Sequence, residues 1–199
     1  MKKYQQALKS VRGFTLQELM IAMAIFFLLA AFGVPGYVGY VRNGELSNST
    51  TSLFSDLYYA RSEAIKRKEK ITICRSADAM ATNPVCGGSS NTWSEGWIVF
   101  VDVGGTANVY DNGTDVLLKV GAPPSDNVAI VSNGNANNYI EYNTDGSLNI
   151  NLAPSVYAVC ADFDQDGNYD EAQGREIRVN PIGRPEITVG SITSCDNPA

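Results

Sequence analysis

The chain has 199 residues, with 21 acids against 15 bases, four cysteines and no histidine. Without an imidazole it has no Ser–His or Cys–His nucleophile pair and no histidine-ligated metal centre, so an enzyme is not expected. The net charge of −6 works against binding polyanions, and the length allows an extended N-terminal element plus one domain of about 130 residues.

Residues 1–13 carry Lys2, Lys3, Lys9 and Arg12 and no acid, the pattern of the cytoplasmic flank of a membrane segment. The stretch from Leu19 to Val34 has no charged residue. It is short for a span of about 20 residues, but Phe14 to Leu16 and Tyr37-Val38 extend it. Glu18 stands directly against this run, where an ionised carboxylate costs roughly 2.5–3.5 kcal/mol at a helix centre unless something pairs with it. That cost makes Glu18 a candidate functional residue. A secretory signal would place its cleavage site after the apolar run. Ala30-Ala31-Phe32-Gly33 offers such a site, but helical patterning continues well past it; the alternative is cleavage before the run, after Gly13, which leaves the hydrophobic helix on the mature chain. Loss of the head removes four bases and leaves 11 against 21 acids, a net charge of −10.

Pro35-Gly36 then punctuates the helix and invites a kink or local melting. Leu46, Leu53, Leu57, Ala60 and Ala64 recur at three- and four-residue spacing, the stripe of an amphipathic helix. Arg61, Glu63, Lys66, Arg67, Lys68, Glu69 and Lys70 fill its other face and its end, where cations suit the helix dipole. Helix from Phe14 to about Lys68 would be on the order of 80 Å long.

Beyond Lys70 short β-rich runs alternate with turn clusters. Nine strands are expected: Ile71–Cys74, Trp97–Asp102, Val116–Val120, Val128–Ser132, Tyr139–Tyr142, Ser147–Ile150, Val156–Cys160, Glu176–Asn180 and Pro185–Val189. Asn143-Thr144-Asp145-Gly146 reads as a hairpin turn. The predicted class is α+β, a long helix packed on an antiparallel sheet or sandwich. Its segments are the head 1–13, an apolar helix 14–40, an amphipathic continuation 41–70 and a β-rich domain 71–199. Cys74, Cys86, Cys160 and Cys195 all follow the membrane segment, and an even count in an exported chain reads as two disulfides. Of the three pairings, Cys74–Cys86 closes a polar loop and Cys160–Cys195 pins the C-terminal tail.

Asp162-Phe163-Asp164-Gln165-Asp166-Gly167-Asn168-Tyr169-Asp170 has the D-x-D-x-D-G form of a calcium loop, with Asp162, Asp164, Asp166, Asn168 and Asp170 as ligand candidates for Ca²⁺. The twelfth position is Gln173 rather than Glu and the flanks read as strands, so this is not an EF-hand. The alternative is a metal-free Asp-rich turn.

Gly13-Phe14-Thr15-Leu16-x-Glu18 followed by an apolar helix resembles the type IV prepilin signal. The resemblance implies cleavage between Gly13 and Phe14 by a prepilin peptidase, methylation of the new Phe14 amine, and an assembly contact of Glu18 with the charged N-terminus of a neighbouring subunit. Further along, Ala60-Arg61-Ser62-Glu63-Ala64-Ile65-Lys66-Arg67, the Trp93-Ser94-Glu95-Gly96-Trp97-Ile98-Val99-Phe100 strand and Gly183-Arg184 resemble the minor pilins of the GspH/FimT group. That implies a single-pass inner-membrane protein with a periplasmic domain, later part of a type IV pilus or its tip complex. Its partners would be the inner membrane and other major and minor pilins. A GspH-type pseudopilin of type II secretion is the related alternative. Some FimT-like members carry Gly-Arg-x-Arg and bind DNA in natural transformation. Here Gly183-Arg184-Pro185-Glu186 puts a carboxylate at the second arginine position. Arg175, Arg178 and Arg184 remain as a candidate DNA-binding cluster, provided Arg178 and Arg184 share a face.

Overall fold

The computed structural model describes residues 13–88, 92–133, 138–149, 155–163, 168–190, 192 and 195, without the side chains of 32–36, 133 and 170–172. One helix, α1 (Leu16–Arg67), precedes eight strands: β1 (Ile71–Arg75), β2 (Trp97–Val101), β3 (Val116–Gly121), β4 (Val128–Asn133), β5 (Tyr139–Tyr142), β6 (Ser155–Ala161), β7 (Asp170–Val179) and β8 (Pro185–Val189). The chain divides into two compact units, Met1–Tyr40 and Val41–Ala199. The helical assignment is unbroken through Pro35-Gly36, so of the kink or local melting expected there, melting does not occur. A proline deletes one backbone donor, while the neighbouring turns keep theirs.

In the second unit the strands form two antiparallel four-stranded sheets, ordered β3-β2-β1-β5 and β4-β6-β7-β8. The architecture is the α+β arrangement expected, with the helix and both sheets sharing one core. The amphipathic stripe Leu46, Leu53, Leu57, Ala60 and Ala64 is fully buried. It packs with Ile71, Ile73 and Val99 of the first sheet and Tyr157, Val159 and Ile177 of the second. Each fully buried leucine contributes about 1.5–3 kcal/mol relative to exposure. Trp93 also lies in this core, edge-on to Tyr157 with ring centroids 5.0 Å apart. Burial pushes the Tyr142 and Tyr157 phenols above their usual range.

Residues pointing away from the shared core are covered as well, which explains why β1 and β2 are buried along their whole length instead of alternating. Outside the first sheet Cys74, Ile98 and Phe100 pack with Ala79 and Cys86. Outside the second, Ala158 and Cys160 pack with Ile192 and Cys195. A disulfide staples each outer cluster: Cys74–Cys86 holds the loop after β1, and Cys160–Cys195 holds the C-terminal segment on β6. With sequence separations of 12 and 35 residues, the second removes more freedom from the unfolded chain.

Two departures from the expected strands are local. Ser147–Asn149 is not a strand; Leu148 makes one isolated bridge to Tyr142. The Asp145 carboxylate accepts from the Ser147 amide and hydroxyl instead, a turn contact that competes with a ladder. β7 begins at Asp170, six residues before the expected start, because β6 offers a partner out to Ala161. Its charged residues hid the strand from a reading based on apolar alternation.

Polar contacts position the helix. Asp56, on the flank of the buried stripe and itself buried, accepts from Trp97 Nε1 at 2.8 Å and from Lys119 Nζ. These tie α1 to β2 and β3. Lys119 reaches inward because a register shift opposite Val99/Phe100 leaves Leu118 as an additional residue in β3. Its ammonium also lies 5.7 Å from the centroid of the Tyr59 ring. On the other flank Arg175 donates to Ser47 Oγ at 2.8 Å and Asn43 Oδ1 at 3.2 Å. Arg61 donates to the carbonyls of Gly146 (3.0 Å) and Ile182 (3.2 Å), so one guanidinium joins the helix to a turn of each sheet. The two turns touch. Gly183 has φ +78°, and a Cβ there would stand 1.9 Å from the Gly146 carbonyl oxygen, so only glycine fits. At the helix end Arg67 holds the Glu63 carboxyl below the usual carboxylate range.

Two substitutions test this frame. Asp56→Ala leaves the Trp97 N–H buried without an acceptor, and the expected loss is about 2–4 kcal/mol in chemical denaturation; Asp56→Asn, which keeps an acceptor, should lose less. Gly183→Ala combines a left-handed backbone with a clash against another main chain, and calorimetry should show a loss of about 2–4 kcal/mol.

Candidate functional site: the N-terminal motif and the surface of the β-domain

The N-terminal motif is built as a helix start. Residues 13–15 precede the helix. Thr15 takes the cap position, with its Oγ1 accepting from the Glu18 amide at 3.2 Å and its carbonyl accepting from Leu19 N at 3.1 Å. Thr15-x-x-Glu18 is the spacing of a capping box, and Glu18 in the first turn complements the positive end of the helix dipole. The threonine and the acid therefore have a local structural role that the sequence reading did not assign. Phe14 stands 83% exposed just ahead of the cap, which leaves the Gly13–Phe14 bond outside the helix.

From Leu19 to Leu29 α1 has no polar face. Leu19, Met20, Ile21, Met23, Ile25, Phe26, Phe27, Leu28 and Leu29 are each more than half exposed. They occupy every direction around the helix axis, since consecutive residues turn by 100°. A helix that is apolar all round is one that a protein core or a lipid phase normally covers. Among the described residues, no helix is long and apolar enough to cross a membrane.

The three candidate arginines do not converge. Register and alternation put Arg175 on the helix side of β7, committed to Asn43 and Ser47, and Arg178 on the opposite face. Arg178 donates twice to Glu176 Oε1, at 2.7 and 3.2 Å, and stands directly across from Glu186 of β8. Arg184 is exposed in the β7–β8 turn, its amide donating to Asn180 Oδ1. The sheet therefore brings two carboxylates, not further cations, to Arg178.

For the acidic loop, Asp162 is half-buried after β6 and Asn168 is exposed, while Asp164, Asp166 and the side chain of Asp170 lie outside the described residues. Among the described residues no three acids or cysteines gather in a way that could hold a metal ion.

Similarity to known proteins follows the same division of the chain. The sequence profile described as Type II transport protein GspH matches residues 49–197, and that of the prokaryotic N-terminal methylation motif matches residues 8–34. No curated protein matches the chain in sequence. Two crystal structures of the Pseudomonas aeruginosa (strain PAO1) type IV minor pilin FimU share its fold. The one in space group P21 superimposes with a TM-score of 0.58 at 18% identity, covering 79% of this chain and 99% of that one. The one in P65 gives 0.54 at 18%, covering 75% and 99%. The chain belongs to the Type II transport protein GspH family, carries the prokaryotic N-terminal methylation motif, and has the fold of a type IV minor pilin.

Proposed function

We propose that this protein is a minor pilin, made as a prepilin and incorporated into a type IV pilus or its initiating tip complex. The observation that carries the reading is the apolar start of α1, exposed on all sides behind a basic head and a glycine. Such a helix needs a covering phase at each stage of its life. The bilayer serves first, with the head on the cytoplasmic side and the disulfide-bearing domain in the periplasm. The helices of neighbouring pilins serve later.

Processing falls between Gly13 and Phe14. The bond precedes the Thr15 cap, so a peptidase reaches it without unwinding the helix, and the amine it frees is the one that is methylated. Glu18, one turn in, then answers the charged N-terminus of an adjacent subunit. That pairing offsets the cost of a carboxylate among hydrocarbon. The role is structural, and the β-domain supplies contacts specific to other minor pilins.

A pseudopilin of type II secretion is the second reading, favoured by the family description matching residues 49–197. A DNA receptor is not favoured: Arg178 sits between Glu176 and Glu186, and these carboxylates repel phosphate.

Substituting Gly13 by a bulky residue should leave the head attached, read as a heavier chain by intact-mass spectrometry. Glu18→Ala should be processed normally yet fall about tenfold or more in the sheared pilus fraction, the ~1.4 kcal/mol of a modest charge pair. Deleting the gene should abolish piliation while type II secretion continues. The reverse outcome assigns the pseudopilin role, and loss of transformation in piliated cells assigns DNA uptake.

A further inference from the structure

The strands β3, β5, β4 and β8 lie at sheet edges. An edge offers a row of unpaired N–H and C=O groups unless something blunts it. On β4 the Ile130 carbonyl accepts from Trp93 N, and the Ile130 amide donates to Ser94 Oγ. On β5 the Glu141 carbonyl accepts from Asn149 N. β3 carries the additional residue Leu118 and then Lys119, a bulge and a cation. β8 has no such cover among the described residues.

The bonds that flank β8 fix its alternation. Asn180 N donates to the Arg184 carbonyl at 3.1 Å and Gly190 N to the Gly174 carbonyl at 3.3 Å, so residues 184, 186, 188 and 190 are the ones bonded to β7. Pro185, Ile187 and Val189 turn their backbone groups outward. Their side chains lie on the face of Ile177 and Val179, which is the core face. Yet Ile187 is 40% exposed and Val189 71%. The apolar face therefore runs out to the sheet edge and ends there uncovered. On the opposite face Glu186 stands across from Arg178.

We propose that β8 pairs antiparallel with β8 of a second copy of this chain, about a two-fold axis at Ile187, the middle residue of the strand. Ile187 then faces Ile187 of the second copy, Pro185 faces Val189, and Glu186 faces Thr188. The strand is its own complement in this register. Ile177 already stands beside Ile187, so the two copies form an unbroken row of isoleucines on the core face. No carboxylate faces another. Pro185, which has no N–H to give, supplies only its carbonyl, to the Val189 amide of the second copy. Sliding the pair by two residues one way sets Glu186 against Glu186. Sliding it the other way leaves Pro185 outside the ladder. A five-residue strand buries less than the roughly 1,200 Å² of a stable interface. The pairing therefore needs chains confined together, as the apolar part of α1 confines them in a micelle or bilayer.

The test uses the full chain in liposomes and in detergent micelles. All four native cysteines are paired, so an introduced one is the single free thiol. Under a mild oxidant in liposomes, Ile187→Cys should give a disulfide-linked dimer on a non-reducing gel. Val189→Cys should not, because its equivalent lies about 13 Å away along the strand. In micelles, sedimentation equilibrium should show Ile187→Lys, which sets two ammonium groups face to face, dimerising about tenfold more weakly, equal to ~1.4 kcal/mol. Ile187→Val should dimerise like the wild type. The proposal is overturned if Ile187→Cys gives no linked dimer, as when a strand of another protein occupies the edge. It is equally overturned if Val189→Cys links as readily, or if Ile187→Lys dimerises as tightly as the wild type. None of these results bears on processing at Gly13 or on the Glu18 contact, so the pairing can fail while the pilin reading stands.

Discussion

The second unit depends on the removal of one face of α1 from water between two sheets. Leu46, Leu53, Leu57, Ala60 and Ala64 are the third layer that the two sheets would otherwise lack, and all five are fully buried. Apolar burial is strong but non-directional. It presses the helix into the gap without setting its rotation or its depth. Those are set by three polar groups along the stripe's flanks. Asp56 takes both a tryptophan N–H and a lysine, Arg175 reaches two side chains of the helix, and Arg61 caps turns from both sheets. A small helical rotation would break all of them at once.

The same helix carries opposite solutions at its two ends. After Val41 it has a narrow apolar stripe and a charged remainder, as a helix beside a β-domain should. From Leu19 to Leu29 it is apolar all round and exposed. A helix of the second kind cannot be stable as an exposed surface in water.

The disulfides belong to the outer faces. Each sheet has its core side covered by the helix and the other sheet, and its far side covered by a loop or tail that one cystine holds down. Loop closure through a covalent link holds these outer faces without depending on a thick hydrophobic layer.

The prepilin-like start, the buried stripe, the α+β class and most strands were legible in the residues, because they follow from charge, hydropathy and local periodicity along a short window. The first half of β7 was not legible: it carries polar residues and pairs only because β6 lies beside it. Nor was Asp56, an acid in a helix otherwise read by its leucines, whose partners lie 41 and 63 residues away. Arg175 and Arg178 looked like neighbours in a cluster, but strand alternation sends them to opposite faces. By itself the sequence determined the N-terminal methylation motif ahead of an apolar run and which face of the later helix is buried, since these depend on neighbours within a few turns. Only the tertiary structure decided which sheet each strand joins and which charges are spent on holding α1. Those are long-range pairings, and the register and packing that create them are not written in any local pattern.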